Sequence, residues 1–259
     1  MIKKRWPWLL IIILAAVAAY ISGRLMQPAY TPVIYIVGDV EKCLETNDID
    51  KLGDLQQVDF DSDTYQAVTL ADVVAAAQPA AQTKRVLMIA DDGFSVEIAG
   101  DTLDDCWLTF TPKDGWRVLA PLHPLSANGT HIWRIVVVAD SSSQTALTVT
   151  AGGETSSFTI GQLYAGTTIS FPYPEGTAEK ATDDVVYSST VYTRRDCLTL
   201  AQLGCDEAAE IQINAANGQS LTVNSSETGL FQLNGNSLSY INAIQRKQME
   251  DVDEIVVLK

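Results

Sequence analysis

Four cysteines, two histidines and a run of alternating aspartates are the side chains of this sequence best suited to chemistry. The cysteines are Cys43, Cys106, Cys197 and Cys205, and the histidines are His123 and His131. No cysteine pair has C-x-x-C spacing, and with two histidines the set makes a poor structural zinc site. "DFDSDTY" puts Asp59, Asp61 and Asp63 at alternate positions, as a calcium loop does. An EF-hand loop needs Gly at its sixth position and Glu at its twelfth, where this chain has Thr64 and Leu70. The stretch therefore reads as a solvated acidic loop. His123 and His131, with Trp116 and Trp133 nearby, are candidates to line a pocket; the plainer reading is two loop histidines over a core. Arg194 and Arg195 read as a solvated pair. No Ser/His/Asp set and no H-E-x-x-H spacing is present. No metal-ligating set and no catalytic set emerges.

The elements that would carry these residues begin with a membrane signal. Lys3, Lys4 and Arg5 precede the uncharged run "WPWLLIIILAAVAAYISG", Trp6 to Gly23. As a helix its eighteen residues rise about 27 Å, close to the roughly 30 Å hydrocarbon core. Pro7 falls in the first turn, where its missing N–H costs little. The leading basic cluster places the N-terminus in the cytoplasm and the chain after Arg24 outside the cell membrane. A cleaved signal peptide is the competing reading, since Ala16-Val17-Ala18 resembles a cleavage site. The apolar run continues past that site, which favours an uncleaved single-pass anchor.

The net charge is −15, from 17 basic and 32 acidic residues. Setting aside Lys3, Lys4 and Arg5 leaves 14 basic against 32 acidic residues, or −18 for the remainder. Such a surface repels phosphate backbones and excludes nucleic acid as a partner. A location outside the cell permits disulfides. Two cysteines fall in each half, so Cys43–Cys106 and Cys197–Cys205 are the pairings a two-domain chain suggests, although four thiols also fit.

One order of elements is written twice. In the first half a strand over "TPVIYIVGDV" leads through a polar stretch, "NDIDKLGDL", to "AVTLADVVAAAQ". Thr69 is an N-cap with Asp72 three residues on, Val68 and Val73 form a hydrophobic staple, and Leu70, Val73, Val74 and Ala77 share one helical face. "RVLMIA" and "FSVEIA" flank Asp91-Asp92-Gly93, a hairpin signal. A loop-rich stretch follows, and the half closes on "IWRIVVVA", the continuous apolar run of a buried strand. After a linker, "DSSSQT", the second half repeats the plan: "ALTVTAGG", then "SFTIGQL" echoing the polar stretch, then a Thr199–Gln202 capping box with Leu198 and Leu203 as its staple. Gly204 stops that helix after about one turn. "EIQINA" and "QSLTV" flank Asn217-Gly218, and "DEIVVLK" ends the chain. A diverged duplication accounts for this order better than a short solenoid repeat.

The first half resembles the molybdopterin-binding oxidoreductase domain with the sulfite-oxidase fold. The resemblance is carried by "IYIVGDV", "GDLQQVDF", "YQAVTLADVVAAA", "RVLMIADDGFSVEI" and "DGWRVLAPLHPLSANGTHIWRIVVV". It covers about residues 33–138 and, more faintly, 146–258, with Asp92-Gly93-Phe94 at the family's Asp-Gly-Tyr position. It implies a β-rich α+β fold and, for an active member, a cysteine thiolate on molybdenum in a Cys-Gly context. Neither Cys43 in "EKCLE" nor Cys106 in "DDCWL" has that setting, and Asp104 and Asp105 disfavour a thiolate at Cys106. No catalytic residue is carried over; Cys106, His123, His131 and Trp116 are the weak cofactor-binding candidates. "VIYIVGDVEKC" also resembles, more weakly, a β-grasp polysaccharide-binding module.

The sequence thus predicts an N-terminal anchor (1–29) and two tandem sulfite-oxidase-fold-like modules (30–139 and 146–259). It predicts no metal and no cofactor, the membrane held through residues 6–23, and a protein partner or small ligand. Function is read as extracytoplasmic binding. The alternatives are a molybdopterin-dependent or electron-transferring oxidoreductase component, and an acidic structural tether.

Overall fold

The protein is seen here in a computed structural model that describes residues 32–124, 127–140, 144–167, 171–181, 184–194, 196–205, 210–224, 229–242 and 247–258. The expected anchor, residues 6–23, lies outside them. Among the described residues, no helix is long and apolar enough to cross a membrane.

The first half runs through β1 (Ile34–Gly38), β2 (Leu44–Thr46), β3 (Gln56–Phe60) and β4 (Asp63–Thr69) into a helix, Leu70–Ala76. Then come β5 (Thr83–Ala90), β6 (Ser95–Ala99), β7 (Trp107–Thr111), β8 (Gly115–Leu119) and β9 (Ile132–Ala139). The second half has β10 (Leu147–Ala151), β11 (Glu154–Phe158), a helix at Ile160–Gly166, β12 (Phe171–Ala181), β13 (Asp184–Arg194) and β14 (Cys197–Leu198). A 3-10 turn at Ala201–Leu203 precedes β15 (Glu210–Ala215), β16 (Ser220–Asn224), β17 (Leu230–Asn234), β18 (Ser237–Asn242), β19 (Lys247–Met249) and β20 (Val252–Val257). The chain is β-rich with few helices.

Two five-stranded sheets have one topology. The order β2-β1-β9-β5-β6 in the first half matches β11-β10-β20-β15-β16 in the second. In each, the opening strand lies parallel to the closing strand, and every other neighbour is antiparallel. The hairpin turns match bond for bond. Gly93 and Gly218 take positive φ (92° and 83°), and their amides donate to Ala90 O and Ala215 O. Asp92 Oδ1 and Asn217 Oδ1 accept from the second amide along, at 2.9 Å in both turns. His131 and Asp251, both at φ 54°, turn the chain into β9 and β20. Their carbonyls accept from Asp91 N and Ala216 N, the first turn amide of each hairpin. Two four-stranded sheets, β3-β4-β7-β8 and β14-β17-β18-β19, accompany them.

The capping signals work as local chemistry predicts. Thr69 accepts from Asp72 N at 3.0 Å, and Val68 and Val73 are fully buried. Thr199 and Gln202 exchange both bonds of a capping box, yet one 3-10 turn results, because Gly204 takes the left-handed conformation (φ 78°). Two expectations are corrected. "DFDSDTY" is a β3–β4 hairpin, turning at Asp61 and Ser62 with φ of 51° and 70°, and the loop-rich stretch after Gly100 contains β7 and β8. Both pairs are short and exposed at their turns, so the sequence offers no long apolar alternation to betray them. "SFTIGQL" holds a third helix start: Thr159 and Gln162 make a complete capping box.

Val33–Lys259 forms one compact unit. Side chains of β9 alternate between two cores: Ile135 and Val137 pack among first-half residues, while Val136 and Val138 join a cluster dominated by the second half. The first sheet is therefore covered on both faces, the reason "IWRIVVVA" lacks polar alternation.

Candidate functional site

The junction between the halves is built from residues that end strands or start helices. β1 ends at Gly38 (φ 108°), and a Cβ there would overlap the backbone of Val137. That turn delivers Asp39 into the interior, 4% exposed. Its carboxylate accepts from Ala139 N (2.9 Å), Thr159 Oγ1 (2.7 Å) and Gly161 N (2.8 Å). Asp39 thus caps the helix Ile160–Gly166 from the other half, answering the donors and positive end of that helix start. Gly161 lets the helix lie directly on β9. Asn236, in the β17–β18 turn, donates to Val40 O at 3.1 Å and accepts from the Cys43 thiol at 3.3 Å.

Beside this contact lies a cavity of about 290 Å³ lined by Tyr35, Cys43, Arg134, Tyr164, Asp196 and Gly235, among others. Arg134, on β9, is 5% exposed. Its Nη2 donates to Asp196 Oδ2 at 2.6 Å, and Nη1 meets Oδ1 to complete a bidentate pair. The guanidinium also stands 3.9 Å from the Trp133 ring centroid and 5.4 Å from that of Tyr164. Tyr35 meets Trp133 edge to face at 5.9 Å. Tyr164 donates its hydroxyl to Gly235 O at 3.0 Å. Burial pushes the Tyr164 pKa up to about 12, with Arg134 pulling the other way, so the phenol stays a neutral donor at physiological pH. Cys43 is exposed, though desolvation of its sulfur raises its pKa above the ordinary thiol value. The cavity thus sets two tyrosines around a paired Arg134 and Asp196, with the Cys43 thiol at its rim held toward its protonated form. Another cavity of about 280 Å³ is lined by Asp39, Asn236, Asp251 and Asp253, among others.

The residues singled out in the sequence do not converge. Cys106 and Trp116 are fully buried in the first core. His131 is exposed in its turn, and His123 sits in a separate turn after Ala120. Cys43 is exposed and Cys106 buried, and both stand as thiols. Cys43 contacts Asn236 at the junction, whereas Cys106 immediately precedes β7 and its carbonyl accepts from Leu70 N. Cys197 lies opposite Gln232 on β17, and Cys205 packs in the core dominated by the second half. Sequence reasoning passed over Asp39, Arg134, Tyr164 and Asp196. The one local signal that could have pointed there is the T-x-x-Q spacing at Thr159, in a segment expected as a polar stretch; it marks the helix that Asp39 caps.

A molybdenum–pterin group does not fit these residues. Burial and Asp105 push the Cys106 thiol up to about 11, the opposite of what a metal thiolate needs. Arg117, on the neighbouring β8, is committed to Asp114 and the Tyr65 hydroxyl. Among the described residues, no three His, Cys, Asp or Glu side chains converge as metal ligands.

No family model matches the chain, and no curated protein does. Among solved structures it is similar to the sulfane dehydrogenase SoxCD from Paracoccus pantotrophus, at 10% identity and a TM-score of 0.37. The likeness covers 86% of this chain and 69% of that one. It is a coarse likeness between folds, and no activity is taken from it.

Proposed function

We propose that this chain is a membrane-anchored, extracytoplasmic binding protein that takes a small ligand between two diverged copies of one sulfite-oxidase-like module. The anchor rests on Lys3–Gly23. The duplication is supported by the shared sheet order and the matching hairpin turns. The binding reading is carried by one observation: a cavity of about 290 Å³ at the junction, walled by Tyr35 and Tyr164 around the Arg134–Asp196 pair. The ion pair is neutral overall, so the fitting ligand is a small, uncharged or zwitterionic molecule with an aromatic or flat apolar face.

The test uses the full chain in detergent micelles. Thermal unfolding is followed against a panel of amino acids, dipeptides and small heterocycles, before and after Cys43 is alkylated with a bulky maleimide. Binding at the junction raises the melting temperature with a dependence on concentration, and alkylation removes the rise. A panel without effect, or a rise indifferent to Cys43 alkylation, overturns the assignment. Stoichiometric molybdenum in the purified chain would instead establish the oxidoreductase alternative.

A further inference from the structure

The strands β12 and β13 pair over eleven residues, from Phe171 opposite Arg194 to Ala181 opposite Asp184. Among the described residues they form a two-stranded sheet that joins none of the other four. At about 3.3 Å per residue the ribbon is some 36 Å long. A two-stranded ribbon alone is marginal in water, and its edges offer unsatisfied amides and carbonyls.

The two edges differ in chemistry. Pro172 lies opposite Thr193 and Pro174 opposite Val191. Proline has no N–H, so within a sheet it sits where its nitrogen faces the outer edge. The antiparallel ladder alternates with period two, so residues in step with these pairs turn their backbone groups outward. On β12 that edge lacks donors at 172 and 174. On β13 it presents the amides and carbonyls of Val185, Tyr187, Ser189, Val191 and Thr193. The segment 184–194, "DVVYSSTVYTR", contains neither proline nor glycine and is rich in β-branched and aromatic residues.

We propose that β13 is a self-association edge, pairing antiparallel with β13 of a second copy about a two-fold axis at Ser189. The charge pattern selects this partner and this register. Asp184 and Arg194 are the only charged residues of β13, and an axis at Ser189 sets Asp184 of each copy opposite Arg194 of the other. It also sets Val185 opposite Thr193, Val186 opposite Tyr192 and Tyr187 opposite Val191, residue types that favour cross-strand pairing. Ser189 belongs to the outward set, so every outward residue meets an outward residue. The product is a four-stranded sheet with β12 at both margins. Pro172 and Pro174 remove two donors from each outer margin, which disfavours further addition and favours a closed dimer over a fibre.

The test uses the full chain in micelles, with Cys43→Ser to remove the exposed thiol. Adding Ser189→Cys should give a disulfide-linked dimer under copper–phenanthroline, since opposed Cα atoms in a hydrogen-bonded pair stand about 5.5 Å apart. Adding Gly176→Cys, across the ribbon on the proline strand, should cross-link only at background level. By sedimentation, Asp184→Arg or Arg194→Asp alone should weaken dimerisation about tenfold, because each sets two like-charge pairs. The double swap should restore it, which separates register from misfolding. Equal cross-linking at 176 and 189, a chain monomeric at about 100 μM, or a double swap no better than the singles would overturn the proposal.

Discussion

Thr159 Oγ1 donates a 2.7 Å hydrogen bond to the Asp39 carboxylate across 120 residues of sequence. The same carboxylate takes Gly161 N and Ala139 N. One acidic side chain thus serves as a helix cap, a strand-end acceptor and a tie between the halves.

Asp39→Ala leaves three buried donors without their acceptor. Each charge-assisted bond lost and each donor stranded costs on the order of 1–3 kcal/mol, so a loss of about 3–5 kcal/mol is expected. Urea unfolding measures it, and Asp39→Asn should recover part of the loss, since the amide keeps one acceptor.

Gly161→Ala sets two effects against each other. Helix propensity favours alanine by about 1 kcal/mol. The added Cβ would run into the Val137 carbonyl oxygen and stand 2.7 Å from Asp39 Oδ2. Overpacking against backbone costs roughly 1–3 kcal/mol, and the displaced helix also loses bonds to Asp39. The variant should be about 2 kcal/mol less stable than wild type in the same urea experiment, against the propensity trend.

Asp196→Ala removes the carboxylate that pairs with Arg134 in a nearly dry setting. A buried charge without its counter-ion costs about 3–5 kcal/mol. Combining it with Arg134→Met should restore most of the loss, because an apolar replacement of both partners is near neutral. Melting temperatures of the two single variants and the double measure that coupling.

Alkali should destabilise the fold in a defined window. The Cys106 thiol is raised to about 11 and the Tyr164 phenol to about 12, both chiefly by burial. A group held protonated in the fold contributes stability in full below its unfolded pKa, and that stability is lost as pH rises through the folded value. Stability should therefore hold to about pH 9 and fall between there and pH 12. Urea midpoints against pH test this, and Cys106→Ala should flatten the first part of the fall. At pH 8, maleimide should label Cys43 in the native protein and reach Cys106 only after unfolding.

Local chemistry was legible in the sequence wherever it is decided within a few residues. Thr69, Thr199 and the Asp-Gly and Asn-Gly turns act through hydrogen bonds three or fewer residues long, and their elements stand where the residues place them. The end of the short helix at Gly204 follows from that residue's freedom at positive φ. The repeat of element order was legible for the same reason, since each element announces itself locally.

Which faces those elements cover was decided by the tertiary structure. "IWRIVVVA" reads as buried, but that its alternate residues serve two cores depends on the second half packing onto the first sheet. Asp39 reads as a polar residue after a strand; its role exists only because Thr159 and Gly161 arrive beside it. Arg134 and Asp196 are 62 residues apart and carry no motif. Pairing between distant residues depends on the path of the whole chain, whereas a cap or a tight turn depends on a few neighbouring dihedrals. That is why this sequence fixed its turns and caps by itself, while the junction and its cavity emerged only from the fold.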